Sequence, residues 1–265
     1  MNIATRCLSR QSWKASTITS LLLVTALTGC AESSVETIPN ATTAISEKSP
    51  ISEQEAPRPE PTQLPPSPKL HAQLPGIGTA MSADIPQNAQ QVVLVTGEGR
   101  NSSKSRADLY QKDGGAWTKE ASWPAHNALK GWTHDHYAGD LRSPVGVFTL
   151  TDTGGRLPDP GSKLPYDRSS AFVAPGTGFN GEPLAGSFDY VVAINYNRKP
   201  GTSPLDFTRP LGNAKGGGIW LHVDHGSPTH GCVSLKMPHM KQLLLALDPA
   251  RHPVVVMGDA KSLRQ

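Results

Sequence analysis

The chain has 265 residues, 37% of them hydrophobic, and contains 25 glycines and 24 prolines. This length fits one or two domains, and because prolines crowd the first part of the chain, some of it is not core. The formal net charge is +3, but residues 1–29 hold three basic and no acidic side chains, so the rest of the chain sums to +3 − 3 = 0. A neutral domain lacks the basic surface that binds nucleic acid, so nucleic acid is excluded as a partner.

Residues 1–29 have the pattern of an exported signal peptide. A basic start precedes an apolar run at residues 18–27, which is too short to cross a bilayer, where about 20 residues are needed. The ending, Leu27-Thr28-Gly29-Cys30, resembles the lipobox of bacterial lipoproteins. The resemblance implies that Cys30 carries lipid and anchors the protein to a membrane of the cell envelope, facing the periplasm or the cell exterior. The alternative is an ordinary signal peptide cut nearby, with Cys30 uninvolved.

Residues 30–88 are predicted to be the lipid anchor and a disordered, proline-rich tether. Residues 31–88 contain no aromatic and few aliphatic side chains, so they cannot bury enough apolar surface to offset the entropy lost on ordering. Their prolines favour extended backbone, and a coil of this length spans on the order of 40 Å. The tether would hold the following domain away from the membrane.

Residues 89–265 are predicted to form one domain built mainly of strands. The turn Asp113-Gly114-Gly115 indicates a β-hairpin. One helix is predicted at residues 238–247, which begin with proline and repeat apolar side chains at helical spacing. Residues 154–186, rich in glycine and proline, are predicted to be a functional loop, for example a substrate lid, or disordered. The predicted strands are residues 91–96, 108–111, 116–118, 147–151, 190–195 and 254–257.

Residues 219–235 hold the candidate reactive centre. Apolar side chains alternate along residues 219–223, which predicts a strand with His222 on the face opposite Leu221 and Val223. A turn follows, and the chain resumes at Cys232. Removal of the signal peptide and lipidation of Cys30 would leave Cys232 as the remaining thiol, in an oxidising compartment, which indicates a reactive cysteine. A thiol needs a nearby base to become nucleophilic at neutral pH, and an imidazole is the usual one.

Two motifs carry a family resemblance. His222 followed by Thr229-His230-Gly231-Cys232-Val233, together with the upstream Ser143-Pro144-Val145-Gly146-Val147-Phe148, resembles the L,D-transpeptidase catalytic domain, the YkuD-like family. The resemblance implies a mainly β fold, a sandwich or partial barrel, with one helix packed after the catalytic strand. It also implies a cell-wall enzyme that cross-links peptidoglycan stem peptides through a thioester acyl-enzyme, with no cofactor and no metal.

The same resemblance implies roles for individual residues. Cys232 would be the nucleophile and His222 the proton acceptor and donor, with His230 as a further catalytic candidate. Backbone N–H groups of Gly231 and Cys232 would form the oxyanion hole. Thr229 and Ser234 would contact substrate, and Ser234 stands where many members have Asn or Arg. The short spacing from His222 to His230 is typical of a divergent branch.

Several alternatives stay open at the level of sequence. With the same residues the enzyme could be an L,D-carboxypeptidase, in which water replaces the acceptor amine. A different class is a zinc site made by His222, His225, His230 and Cys232, and a third is a non-catalytic wall-binding module. Either Asp224 or a backbone carbonyl could orient His222. No oligomeric state is predicted.

Overall fold

A computed structural model describes residues 70–265. The predicted signal peptide, Cys30 and the tether up to residue 69 lie outside these described residues. Among residues 70–265, no helix combines the length and apolar character needed to span a bilayer.

The described chain folds as a mainly β structure, as predicted. Its helices, all short, are α1 (Thr79–Ala83), α2 (Met237–Ala246) and α3 (Ala260–Leu263). The strands are β1 (Leu70–His71), β2 (Gln91–Gly97), β3 (Lys104–Asp113), β4 (Ala116–His126), β5 (Trp132–Thr133), β6 (Ser143–Pro144), β7 (Gly146–Gly155), β8 (Tyr166–Arg168), β9 (Val191–Ile194), β10 (Trp220–Val223), β11 (Val233–Leu235) and β12 (Val254–Asp259).

The main sheet curls into a partial barrel. Hydrogen-bonded neighbours follow the order β1-β4-β11-β10-β9-β7-β12-β2-β3. Because β3, the last strand in this order, also pairs with β4 along almost its whole length, the sheet closes on itself. Most pairs are antiparallel, whereas β10–β11, β12–β2 and β7–β8 are parallel. The predicted partial barrel is thereby confirmed.

The hairpin between β3 and β4 shows how the sequence sets the strand register. Asp113 pairs directly with Ala116, so Gly114 and Gly115 form a two-residue turn. Both have positive φ, 58° and 87°, which is the combination a type I′ turn requires and glycine adopts without strain. The predicted hairpin is confirmed at this position.

The helix predicted after the cysteine strand is α2. Its apolar side chains at positions 240, 243 and 244, and Leu247 just after it, are fully buried in the main core. That core also takes the inward side chains of β10 and β11, including Leu221, Val223, Val233 and Leu235. Helix α2 therefore backs the strand pair that carries His222 and Cys232. The one-turn helices α1 and α3 were not predicted from the sequence.

The folded structure begins earlier than the predicted boundary at residue 89. Residues 70–71 form β1 on β4, and the N–H of Gly78 donates to the carbonyl of Leu263 at 2.8 Å. Leu74 and Met81, each 7% exposed, pack in a second core with Leu263. These contacts order residues 70–88, although the composition of that segment predicted a tether.

Neighbouring leucines on α2 provide a test of this packing. Leu244→Ala should lower the free energy of unfolding by about 2–5 kcal/mol, because a fully buried side chain is replaced by a cavity. Leu245, which is 49% exposed, is the matched control, and Leu245→Ala should change that free energy by about 0.5 kcal/mol or less. Denaturant unfolding at an unchanged m-value measures both. Equal losses in the two variants would contradict this packing of α2.

Candidate active site

The candidate site lies on one face of the parallel pair β10–β11. Leu221 pairs with Val233 and His222 with Ser234. Because successive side chains of a strand point to opposite faces, the core takes Leu221 and Val233, and His222 lies on the other face, as predicted. Cys232 comes one position before Val233, and its thiol lies beside Trp220 on that same outer face.

The thiol of Cys232 sits in a backbone cradle at the start of β10. The N–H of Trp220 points at Sγ at 3.4 Å, and Sγ lies 3.6 Å from the carbonyl of Gly218. The N–H directed at sulfur favours the thiolate electrostatically, whereas the carbonyl of Gly218 accepts from the thiol and favours its protonated form. Cys232 is partly exposed.

The backbone of Cys232 is held by two buried hydroxyl groups. Its carbonyl accepts a hydrogen bond from Thr229 Oγ1 at 2.6 Å and a longer one from Ser143 Oγ at 3.4 Å. Ser143 Oγ also accepts from the N–H of Ala128 at 3.1 Å. Ser143 opens the upstream motif noted in the sequence, so the two motifs meet at the carbonyl of the cysteine.

His222 is buried and neutral, with one ring nitrogen already committed. Its Nδ1 lies 2.9 Å from the carbonyl of Val223, which can only accept, so Nδ1 carries the proton and Nε2 is the acceptor. The ring packs edge-on against Phe188 and stacks on His225. Burial, the largest cause, lowers the pKa of His222 to about 4. A neutral imidazole whose proton is on Nδ1 is the protonation state that a general base requires.

Asp224 does not orient His222. Its Oδ1 instead accepts from Ser234 Oγ at 2.7 Å and pairs with His126 Nδ1 at 2.8 Å. Burial alone would raise the pKa of Asp224, but the hydrogen bonds from His126 and Ser234 outweigh it and lower the pKa to about 2. The hydrogen bond between His126 and Asp224 also raises the pKa of His126. Of the two orienting groups left open by the sequence, the backbone carbonyl of Val223 fills the role.

A short β-hairpin, residues 176–184, here termed the flap, lies over the site. It is closed by backbone hydrogen bonds from Gly178 to Glu182 and from Leu184 to Gly176. The ring of Phe179 at its tip lies 4.7 Å from the ring of His230, centroid to centroid. The flap falls within the loop predicted as a lid or as disordered, and its contact with His230 agrees with the first alternative.

The flap is fastened by one carboxylate. Glu182 Oε1 lies 2.8 Å from His225 Nδ1 and also accepts from Ser227 Oγ. The hydrogen bond from Ser227 is the main reason that the pKa of Glu182 falls to about 2. His225 therefore belongs to the contact between the flap and residues 224–232, here termed the crossover loop.

The remaining predicted site residues are placed as follows. Thr229 and Ser234 are buried and donate to protein acceptors, so their contact with substrate stays a prediction. The side chain of His230 is exposed at the rim. Neighbouring residues still remove part of the water around its ring, and this desolvation lowers the pKa of His230. The space that a Cβ on Gly231 would take faces Ile219 and His136, so packing explains the glycine. The oxyanion role of the Gly231 N–H stays a prediction.

The four residues of the zinc alternative do not form a ligand cluster. Among residues 70–265, no three His, Cys, Asp or Glu side chains are grouped so that they could hold a metal ion. Nδ1 of His222 and Nδ1 of His225 are engaged with Val223 and Glu182.

Two residues of the site were missed at the level of sequence. His126 ends β4, and Glu182 lies in the flap. Each is far along the chain from its partner, Asp224 or His225, and neither stands in a recognisable motif. An acidic residue within a predicted lid was the one available signal for Glu182.

Comparison with known proteins identifies the family. The family described as the L,D-transpeptidase catalytic domain, YkuD, matches residues 100–256, which is more than half of the chain and includes both motifs. Fold and site thus define an enzyme domain of the L,D-transpeptidase type. The chain belongs to the YkuD family, whose members act on peptidoglycan peptides.

Other comparisons are more distant. No match was found among curated protein sequences. Among solved structures, the chain is similar to Bd1075 of Bdellovibrio bacteriovorus, with 17% sequence identity and a TM-score of 0.37. The similarity covers 71% of this chain and 53% of that chain.

The low pKa of His222 predicts how stability changes with pH. The unfolded imidazole protonates near its ordinary pKa of 6.5 and the folded one near 4, so the unfolded state binds more protons between these values. The contribution of His222 to stability is therefore complete above about pH 6.5 and is lost as pH falls, by about 3 kcal/mol at pH 4.

His222→Gln should remove this part of the pH dependence. Unfolding free energies of the variant and the wild type, measured from pH 7 to pH 4, should show a smaller decline in the variant. His71→Gln, in β1, is the control and should follow the wild type. A decline of equal size in His222→Gln and wild type would show that His222 is not buried as a neutral ring.

Proposed function

We propose that this protein is a cell-wall L,D-transpeptidase that forms peptidoglycan cross-links through a thioester on Cys232. The observation that carries the proposal is the placement of the Cys232 thiol and the neutral, Nδ1-protonated ring of His222 on one face of β10–β11. Family membership supports the reaction type and the peptide substrate.

In the first half-reaction the sulfur attacks the carbonyl between an L and a D residue of a stem peptide. His222 Nε2 accepts the thiol proton as the C–S bond forms, and N–H groups of Gly231 and Cys232 stabilise the oxyanion. The C–N bond then breaks, and the proton held by His222 passes to the departing amine. Because burial disfavours a charged His222, the imidazolium is short-lived and gives up its proton readily.

In the second half-reaction an amine from another stem peptide attacks the thioester carbonyl. His222 accepts the proton that the amine loses as the new C–N bond forms and the C–S bond breaks, and that proton returns to the sulfur. Attack by water in place of the amine would give L,D-carboxypeptidase activity with the same residues. His230 and Phe179, whose rings are in tilted contact at the rim, would contact the peptide chains.

We further propose that lipid on Cys30 anchors the enzyme to a membrane of the cell envelope. The signal-like residues 1–29 and the lipobox resemblance support this, and a proline-rich tether would let the domain reach the cell wall. Incorporation of radiolabelled palmitate by the wild type and its loss in Cys30→Ser would test the anchor independently of catalysis.

A thioester trap tests the reaction. Full-length protein incubated with a tetrapeptide stem should show, by mass spectrometry, a tripeptidyl adduct on Cys232 and then either cross-linked dimer or tripeptide. Dimer identifies a transpeptidase and tripeptide a carboxypeptidase. Cys232→Ala should form no adduct and should lower turnover by at least about a thousandfold, because it removes the nucleophile.

Two matched variants complete this test. Cys232→Ser keeps the size and a hydroxyl group but has no thiolate, and it should also fail to turn over at neutral pH. Leu245→Ala, exposed on α2, should react as the wild type does. Persistent turnover in Cys232→Ala would rule out Cys232 as the nucleophile.

A further inference from the structure

An arginine lies against the backbone that cradles the thiol. The segment Gly216–Gly218 leads into β10, and the carbonyl of Gly218 lies 3.6 Å from Cys232 Sγ. A Cβ on Gly217 would overlap Nε of Arg209, and a Cβ on Gly218 would lie 3.5 Å from its Nη2. The guanidinium group can rest against this segment because both residues are glycine, so it adjoins the backbone that contacts the sulfur.

Arg209 is held in place but its charge is not paired. Its Nη1 donates to the carbonyls of Asp206 and Thr208 at 3.1 and 3.0 Å, and the ring of Phe207 lies 5.6 Å away. Within residues 70–265, no carboxylate lies within ion-pair distance of Arg209, whereas the half-exposed Arg156 pairs with Asp189 at 2.8 Å. Burial, opposed by the charge of Asp206 and reinforced by Arg198, lowers the pKa of Arg209.

Nε and Nη2 of Arg209 are the donors left available by this arrangement. Neither atom makes a hydrogen bond within residues 70–265, whereas Nη1 makes two; Nε lies against Gly217 and Nη2 near Gly218. A guanidinium edge with two adjacent N–H donors matches a carboxylate, which it binds in bidentate fashion. The group best suited to bind these two donors is therefore an anion, and a planar carboxylate fits their spacing.

The proposed reaction brings such a carboxylate to the site. The residue that leaves when Cys232 attacks carries its terminal carboxylate one Cα beyond the departing nitrogen. Position 234 provides no cation, because Ser234 is buried and donates to Asp224. We infer that Arg209 binds the C-terminal carboxylate of the donor stem peptide and selects peptides with a free C-terminus. This inference rests on the proposed function.

A pair of synthetic peptides tests the inference. Both are tetrapeptide stems ending in D-alanine, one with a free carboxylate and one with a C-terminal carboxamide. The wild-type full-length protein should acylate Cys232 with a kcat/KM about 10- to 100-fold higher for the acid, as expected for loss of one charge-assisted hydrogen-bonded pair. This comparison needs no variant, so it does not depend on the folding of one.

Variants at position 209 connect that preference to the arginine. Arg209→Gln should lower kcat/KM for the acid to near the value for the amide and leave the amide reaction almost unchanged. Arg209→Lys should keep part of the preference, because it retains the charge without the two-donor edge. Arg264→Gln, exposed beside α3, is the control and should retain the full preference. Thermal unfolding verifies that each variant is folded.

The outcomes separate the two proposals. Equal reaction of wild type with acid and amide, or an equal loss for both peptides in Arg209→Gln, would overturn the role of Arg209 and leave the thioester chemistry intact. Failure of the wild type to acylate Cys232 with either peptide would overturn the proposed function and this inference with it.

Discussion

The parallel pairing of β10 with β11 is the constraint on which the site depends. Parallel strands begin at the same end, so the chain must travel back along β10 before it starts β11. Here the crossover loop, residues 224–232, makes that return without a helix. Several of its polar groups bond to other segments: β4 provides His126, the flap provides Glu182, and the upstream motif provides Ser143. The position of the thiol is therefore the joint result of segments far apart in the chain.

Two histidines near this pair are driven in opposite directions by their surroundings. His126 bonds to Asp224, which raises its pKa, whereas His222 is buried without a carboxylate and has a pKa of about 4. Asp224 thus bonds to His126, whereas Nδ1 of His222 bonds to the carbonyl of Val223. As a result, His222 is oriented by a neutral carbonyl, which in the proposed reaction would favour transient proton transfer over a standing thiolate–imidazolium pair.

Local patterns in the sequence predicted much of the fold. Alternation placed His222 opposite Leu221, helical spacing located α2, and the two glycines after Asp113 identified the hairpin. The contacts that complete the site are long-range and carry no local signal. Nothing near Asp224 in the chain indicates its bond to His126. Likewise, only the structure shows that Arg209 lies against Gly217 and Gly218. The polar composition of residues 70–88 predicted a tether, and it gave no sign of the pairing of β1 with β4 or of the packing of Leu74 and Met81 in the second core.

The parallel pairing of β2 with β12 has a consequence for how the domain is assembled. These strands join residues 91–97 to residues 254–259, and α1 bonds to the backbone of Leu263 and Gln265. The central sheet therefore cannot be completed until residues 254–259 have been synthesised. Contacts of such high sequence separation slow folding, because a long loop must close before the paired strands repay its entropy. The sheet is therefore completed late, which would suit passage through a narrow export channel if residues 1–29 direct export as predicted.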